Sequence, residues 1–139
     1  MGDVYVRTLI RLARLLERGA GELSLPQIRV LALVDEGGER ASHLADKLAV
    51  AKPTITAVVD GLVERGYVKR TADCDDRRVT KITLTASGRK ALYDAEHAMH
   101  ARLHEVLARA DDPTAVEQAL EHLGVALDRA RTDRLAGRQ

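Results

Sequence analysis

Aromatic side chains are scarce in this 139-residue chain, which has three tyrosines, no phenylalanine and no tryptophan. A surface on which unpaired bases stack needs such rings, so single-stranded nucleic acid is a poor partner. There is one cysteine; no intrachain disulfide can form, and a four-cysteine zinc site is excluded. No apolar run approaches the roughly 20 residues that cross a bilayer. The start, Met1-Gly2-Asp3-Val4-Tyr5, lacks the basic and apolar regions of a secretory signal. The expected setting is soluble, reducing and cytoplasmic, without a membrane partner. An excess of one charge is lacking too: the formal net charge is +1, so any nucleic-acid case rests on local patches. Missing as well are a phosphate-cradling glycine loop, a nucleophile–base–orienter set and carboxylates clustered in apolar surroundings, which argues against an enzyme. What is plentiful is hydrophobic residues (45%) and charged residues (31%), enough for a packed core in one domain of ordinary size.

The pattern along the chain is helical, then a short hairpin, then helical again: a mainly α fold with a small β-hairpin. Leu9, Ile10, Ala13 and Leu16 recur at helical spacing, with Arg7, Arg11, Arg14 and Arg18 on another stripe. Gly19 and Gly21 stop this helix. A second helix is expected from Pro26, with Ile28, Leu31, Ala32 and Val34 inward, ending at Gly37-Gly38. A short helix follows, with Ser42 as its expected N-cap and Leu44, Ala45 and Leu48 on one face. Ala49-Val50-Ala51 is a tight connection, and Pro53 opens a helix whose apolar stripe is Ile55, Val58, Val59, Leu62 and Val63. Two β-rich runs, Val68 to Thr71 and Val79 to Leu84, flank an exposed polar tip from Ala72 to Arg78. Thr85 caps a long helix over about residues 86–109, with Leu92, Ala95, Met99, Leu103 and Val106 expected inward; Asp111-Asp112-Pro113-Thr114 breaks it. A last helix carries Val116, Leu120, Leu123, Leu127 and Ala130 at alternating spacings of three and four, the seam of a packed pair.

Two short helices joined by a three-residue turn and followed by a β-hairpin describe a winged helix-turn-helix. In that arrangement the second helix lies in the major groove of duplex DNA, showing one face to the core and the other to the bases. The stripe from Ile55 to Val63 is the core face; Thr54, Thr56, Ala57, Asp60 and Gly61 lie off it. Lys52 and Pro53 sit at the helix start, where backbone amides and the helix dipole favour phosphate. Arg77 and Arg78 at the hairpin tip are placed to enter a narrow minor groove. Residues 42–89 hold nine basic and six acidic side chains, a local charge of +3 against −2 for the remainder, the sign a DNA-binding lobe requires.

The run Leu44-Ala45-Asp46-Lys47-Leu48, then Thr54 through Arg70, resembles the multiple antibiotic resistance regulator (MarR) family. The wing Asp73-Cys74-Asp75-Asp76-Arg77-Arg78, followed by Leu84-Thr85 and Gly88, is similar to that family's wing signature. The resemblance implies one MarR-type domain over 1–139. Within it, 25–90 would be the DNA-binding lobe, and 1–20 with 88–135 a helical dimerisation lobe. It further implies a homodimer on a palindromic duplex site, repression by blocking a promoter, and release by a small ligand or by oxidation; a small aromatic or phenolic compound is the ligand class expected here. Carried over by position, Arg78 is the wing arginine, Asp76 braces it, Asp60 is a second acidic contact, and Arg77 meets phosphate or groove beside it. Together with Ser42, Lys52, Pro53, Thr54, Thr56 and Ala57 these make the expected DNA face. The family often has arginine where this chain has Ala57, and another basic residue where it has Gly61. Bidentate reading of guanine by a helix arginine is therefore not expected here; methyl and hydroxyl contacts from Thr54, Thr56 and Ala57 take its place, with heavier reliance on the wing and on DNA shape.

Three features point elsewhere. His97, His100 and His104 share a helix face, and a zinc-sensing branch of the family has a similar pair; yet no companion Cys/His cluster accompanies them, so no metal and no cofactor is expected. Cys74 lies among Asp73, Asp75 and Asp76, whose charge disfavours the thiolate a redox sensor needs. A winged helix that binds protein instead of DNA is the alternative reading of the fold; it predicts no salt-dependent duplex binding.

Overall fold

Each helix boundary has a local cause. The computed structural model describes residues 2–137; residues 1, 138 and 139, the ends of the expected 1–139 span, lie outside it. Helix α1 (Gly2–Gly19) is followed by α2 (Leu25–Asp35). Ser24 starts α2 with a capping box: the Gln27 backbone N–H donates to Ser24 Oγ (3.3 Å), and the Ser24 N–H donates to Gln27 Oε1 (2.9 Å). Pro26 then falls inside the first turn, where its missing N–H costs nothing. Strand β1 (Glu39–Arg40) leads directly into α3 (Ala41–Leu48). Ser42 does not cap this helix: the N-cap is Arg40, no side chain closes it, and Ser42 lies exposed in the first turn. After Ala49-Val50-Ala51 comes α4 (Lys52–Glu64).

Helix α4 ends in a Schellman motif. Gly66 takes φ +76°, its N–H donates to the Val63 carbonyl and the Tyr67 N–H donates to the Leu62 carbonyl, both at 2.9 Å. That turn aims the chain into β2 (Val68–Ala72), which pairs antiparallel with β3 (Thr80–Leu84) in the register Val68–Leu84, Arg70–Ile82 and Ala72–Thr80. The hairpin gains a third strand, since β1 pairs with the other edge of β3 through Glu39–Ile82 and Arg40–Lys81. Two residues are too few to show any periodicity, so nothing in the sequence marks β1.

Thr85 closes the wing onto α5 (Ala86–Leu107). Its hydroxyl donates to the Gly66 carbonyl (2.6 Å) and accepts from the Gly88 N–H (3.0 Å), while its own N–H donates to the Tyr67 carbonyl (3.1 Å). Gly88 is required for this contact, because a Cβ there would overlap the Tyr67 carbonyl oxygen. The Leu-Thr-x-x-Gly signature after the wing is thus a packing device.

The described chain divides into two compact units, Met1–Arg102 and Leu103–Gln139. The core of the first gathers Ile28, Val30, Leu31, Leu33 and Val34 of α2, Leu44 and Ala45 of α3, and Ile55, Val59 and Leu62 of α4. Val68, Ile82, Leu92 and Ala95 complete it. Helix α2 is buried on more sides than an amphipathic stripe predicts, because α3, α4 and β3 all pack around it. At its C-terminal end Asp35 accepts from Arg89 Nε (3.3 Å) and the Tyr93 hydroxyl (3.2 Å), which offsets a carboxylate at the negative end of the dipole. In the second unit α6 (Pro113–Ala136) is capped by Asp112, whose side chain accepts from the Ala115 N–H (3.1 Å). Neither α1 nor α6 contains a buried residue. Val106, expected inward, is 42% exposed, and Leu107 beside it is buried instead. No helix among the described residues is long and apolar enough to cross a membrane.

Candidate nucleic-acid interface

Helix α4 divides cleanly by face. Ile55, Val59 and Leu62 are buried, while Lys52, Pro53, Thr54, Thr56, Ala57 and Asp60 are exposed. The buried side fixes the rotation of the helix, so the exposed set is presented to solvent as a unit. At its start the N-cap Ala51 supplies no side-chain acceptor. The first amides of α4 therefore have no side-chain cap, and Lys52 is exposed in the same turn, a combination suited to a phosphate oxygen. Thr56 Oγ1 donates to the Lys52 carbonyl (3.0 Å), so its proton is engaged within the helix. What Thr56 offers outward is a methyl group and hydroxyl lone pairs, which can contact a thymine methyl or accept from a base amino group.

The wing tip is internally braced. The Asp73 N–H donates to the Val79 carbonyl (2.9 Å) and the Val79 N–H to the Asp76 carbonyl (3.0 Å). Asp76 Oδ1 accepts both the Arg78 backbone N–H (3.0 Å) and Arg78 Nε (3.3 Å). The Arg78 side chain is nevertheless 92% exposed. One edge of its guanidinium is oriented by Asp76 and the terminal nitrogens face outward, the geometry of a cation held ready for a groove. Arg77 beside it is exposed as well.

Three sets of ion pairs that sequence reasoning misses, or finds only in part, tie this surface together. Asp60 of α4 pairs with Arg70 in the middle of β2, so its contact reaches the wing strand and not the tip. The Arg70 charge neutralises a carboxylate that would otherwise repel phosphate. Arg40, at the end of β1, pairs with Asp73 at the start of the wing-tip loop (2.9 Å), and Asp73 is the one buried charged residue among the described residues. Glu39 pairs with Lys47 of α3 and with His43 Nδ1 (3.3 Å). Burial pushes the Glu39 carboxyl up, but hydrogen bonds from Lys47, the Arg40 amide and His43, with the Lys47 charge, outweigh it and hold the group below its ordinary value. The Arg40–Asp73 pair joins residues 33 positions apart, which is why it carries no signal in the sequence.

Two further candidates contribute nothing to this set of contacts. Cys74 is exposed at the tip. His97, His100 and His104 lie along α5, and no group of three or more metal-ligating side chains occurs among the described residues.

Comparison with known proteins decides the family. The family model described as "MarR family" matches residues 23–80, the segment that holds α2 to the start of β3. The uncharacterized HTH-type transcriptional regulator YfiV of Bacillus subtilis (strain 168) is 31% identical over 116 residues, which is 81% of this chain and 72% of that protein. The chain belongs to the MarR family. It is a MarR family transcriptional regulator with a DNA-binding winged-helix fold. Two solved MarR-like structures frame the site. The transcriptional repressor CouR bound to a 23-mer DNA duplex aligns with TM-score 0.79 and 25% identity, over 91% of this chain and 92% of that one. A Mycobacterium tuberculosis MarR family protein in complex with p-aminosalicylic acid aligns with TM-score 0.70 and 27% identity, over 89% of this chain and 98% of that one. The family and these relatives are regulators, not enzymes.

Proposed function

We propose that two copies of this chain bind a palindromic duplex operator, repress transcription by occupying it, and leave it when a small aromatic or phenolic ligand binds. In this reading α4 enters the major groove, with Thr54, Thr56 and Ala57 toward the bases and Ser42, Lys52 and Pro53 toward the backbone. Arg78, braced by Asp76, enters the adjacent minor groove with Arg77 at its phosphates, and Asp60 steadies the wing through Arg70. The dimerisation lobe is 1–20 with 88–135. The observation that carries the reading is the Arg78 guanidinium, oriented by Asp76 yet 92% exposed, on the same lobe as an exposed and uncapped α4 start. The DNA complex of a relative and the p-aminosalicylic acid complex of another support the two halves of the cycle. The exposed apolar side chains Tyr5, Leu9 and Ile10 of α1 and Leu123 and Leu127 of α6 support self-association.

Salt-dependent binding to the duplex upstream of the protein's own gene tests this. Removing Arg77 and Arg78 takes two cations from each of the two copies and is expected to reduce the slope of log affinity against log salt by about two to four units, since each phosphate that the protein neutralises contributes about one. An Arg77→Ala/Arg78→Ala variant that binds the duplex as tightly as the wild type, with the same slope, refutes the wing assignment.

A further inference from the structure

The wing tip is closed on itself. The Asp73 N–H donates to the Val79 carbonyl (2.9 Å) and the Val79 N–H to the Asp76 carbonyl (3.0 Å), while Asp76 Oδ1 holds Arg78 by its backbone N–H (3.0 Å) and its Nε (3.3 Å). The Arg78 guanidinium is thereby oriented within residues 73–79. Below the tip the sheet narrows. Strand β1 pairs with β3 only at Lys81 and Ile82, so the outermost step, Ala72–Thr80, belongs to a ribbon of two strands. Such ribbons twist more than wider sheets and are marginal on their own. Main-chain pairing therefore leaves the direction of the tip loosely fixed.

One side-chain contact makes up for this. Arg40 Nη2 donates to Asp73 Oδ2 at 2.9 Å; among the described residues it is the one hydrogen bond or ion pair between 73–79 and a residue outside the hairpin. Arg40 is the N-cap of α3, so the contact ties the tip to the start of the helix-turn-helix. As a stabilising device the pair is a poor choice. The Asp73 side chain is 11% exposed, and a buried carboxylate gives up solvation that an ion pair at best repays. Asp73 also offsets Arg40 and Lys81, like charges that stand opposite each other in the sheet. What a charge-assisted hydrogen bond does secure is geometry.

We propose that the Arg40–Asp73 pair is a tether that fixes the direction of the wing tip, which makes Arg40 and Asp73 positioning residues for the minor-groove contact of Arg78. The consequence for duplex binding rests on the regulatory reading above; the tether itself does not. Two measurements on the full chain test it. Cys74, the one cysteine, is exposed at the tip and takes a nitroxide label. Its spin-resonance spectrum, without DNA, should report a more mobile tip in Arg40→Met and near wild-type order in Arg40→Lys. Because Arg40→Met strands a buried carboxylate, Arg40→Met/Asp73→Asn, which removes both charges, is measured beside it and should show the same gain in mobility. In duplex titration, a tip that keeps its direction about a third of the time in each of two copies lowers affinity about tenfold. That loss should appear when Arg40→Met is made in the wild type, and shrink below about twofold when it is made in Arg77→Ala/Arg78→Ala, where there is no wing arginine left to position. The proposal falls if the label is equally ordered in all these variants, or if its mobility rises while duplex affinity stays as in the wild type. It falls also if Arg40→Met weakens binding equally in both backgrounds and lowers the salt slope by about two units, one per copy, for Arg40 then meets phosphate itself. A wild type that binds no duplex overturns the regulatory reading, and label mobility still decides whether the tether exists.

Discussion

Helix α2 and helix α6 draw on the same apolar residue types, yet only one of them is buried by its own chain. In α2, five residues are buried, Val30 and Leu31 completely. In α6 none is buried, and Val116, Leu123, Val125 and Leu127 are between 38% and 63% exposed. Helix α1 resembles α6, with Val4, Tyr5, Val6, Leu9 and Ile10 all exposed. A helical stripe states that a face wants cover; it does not state who supplies it. For α2 the cover is α3, α4 and β3 of the same lobe. For α1 and α6 the described chain supplies no such cover, and the dimer proposed above would. Stability of the lobe and stability of the assembly should therefore separate in experiment.

Truncation in the lobe should give the largest effect. Leu31→Ala is expected to destabilise by about 3 kcal/mol, the usual scale for emptying a fully buried leucine site. The loss should not depend on protein concentration. Leu123→Asp/Leu127→Asp should instead shift sedimentation toward the single chain, with winged-helix unfolding in urea little changed at high dilution. A concentration-independent loss as large as that of Leu31→Ala in the α6 variant would erase the contrast. Next in size is Gly88→Ala, which forces a methyl group into the Tyr67 carbonyl. A destabilisation of about 2 kcal/mol by urea denaturation is expected, in the range for overpacking a close contact. Wild-type stability in this variant would mean that the wing does not seat on α5 through Gly88.

Much of the lobe is legible in the sequence because its signals are local and repeat. The stripe Ile55, Val59 and Leu62 sets the length and rotation of α4, and Ala49 to Ala51 separates the two helices as the spacing predicts. Thr85 caps α5 as its residue type suggests. What escapes depends on partners distant in sequence. Strand β1 is defined only by its pairing with β3, and Arg40 meets Asp73 across 33 positions. Pro26 marks the first turn of α2, but the capping box belongs to Ser24, two residues earlier. Ser42 has the chemistry of an N-cap, but the extended backbone of Arg40 ends the strand too early for it. At the candidate site, exposure of the α4 residues follows from the stripe; the Asp60–Arg70 pairing needs the fold.

A smaller effect tests the junction of β1 and α3 through pH. The folded chain holds Glu39 below its ordinary value of 4.5, so folding favours the ionised form. That contribution is complete above the ordinary value and is lost as pH falls through the lowered one. Glu39→Gln should therefore cost about 1 kcal/mol near neutral pH, and the wild-type and variant stability curves should converge on acidification. Curves that stay parallel into acid would show that the Glu39, Lys47 and His43 cluster contributes nothing through charge.

The smallest expected change lies in the turn between α3 and α4, and its sign is opposite. Ala49 occupies the left-handed region (φ 55°, ψ 45°), the sole non-glycine residue with positive φ among the described residues. A side chain there costs roughly 1–2 kcal/mol, whereas glycine at the same place costs roughly 0.5–1 kcal/mol in backbone entropy. The hydrogen bonds that close α3, from the Ala49 N–H to the Asp46 carbonyl (3.3 Å) and from the Val50 N–H to the Ala45 carbonyl (3.0 Å), are main-chain and survive the change. Ala49→Gly should therefore raise stability by about 0.5 kcal/mol in urea titration, while leaving the angle between the two helices, and with it duplex affinity, as in the wild type. Ala49→Val should move stability the other way, since a β-branched side chain tolerates this conformation least. If glycine destabilises instead, the turn is not held in the left-handed region in solution, and the placement of α4 against α3 must be set by core packing alone.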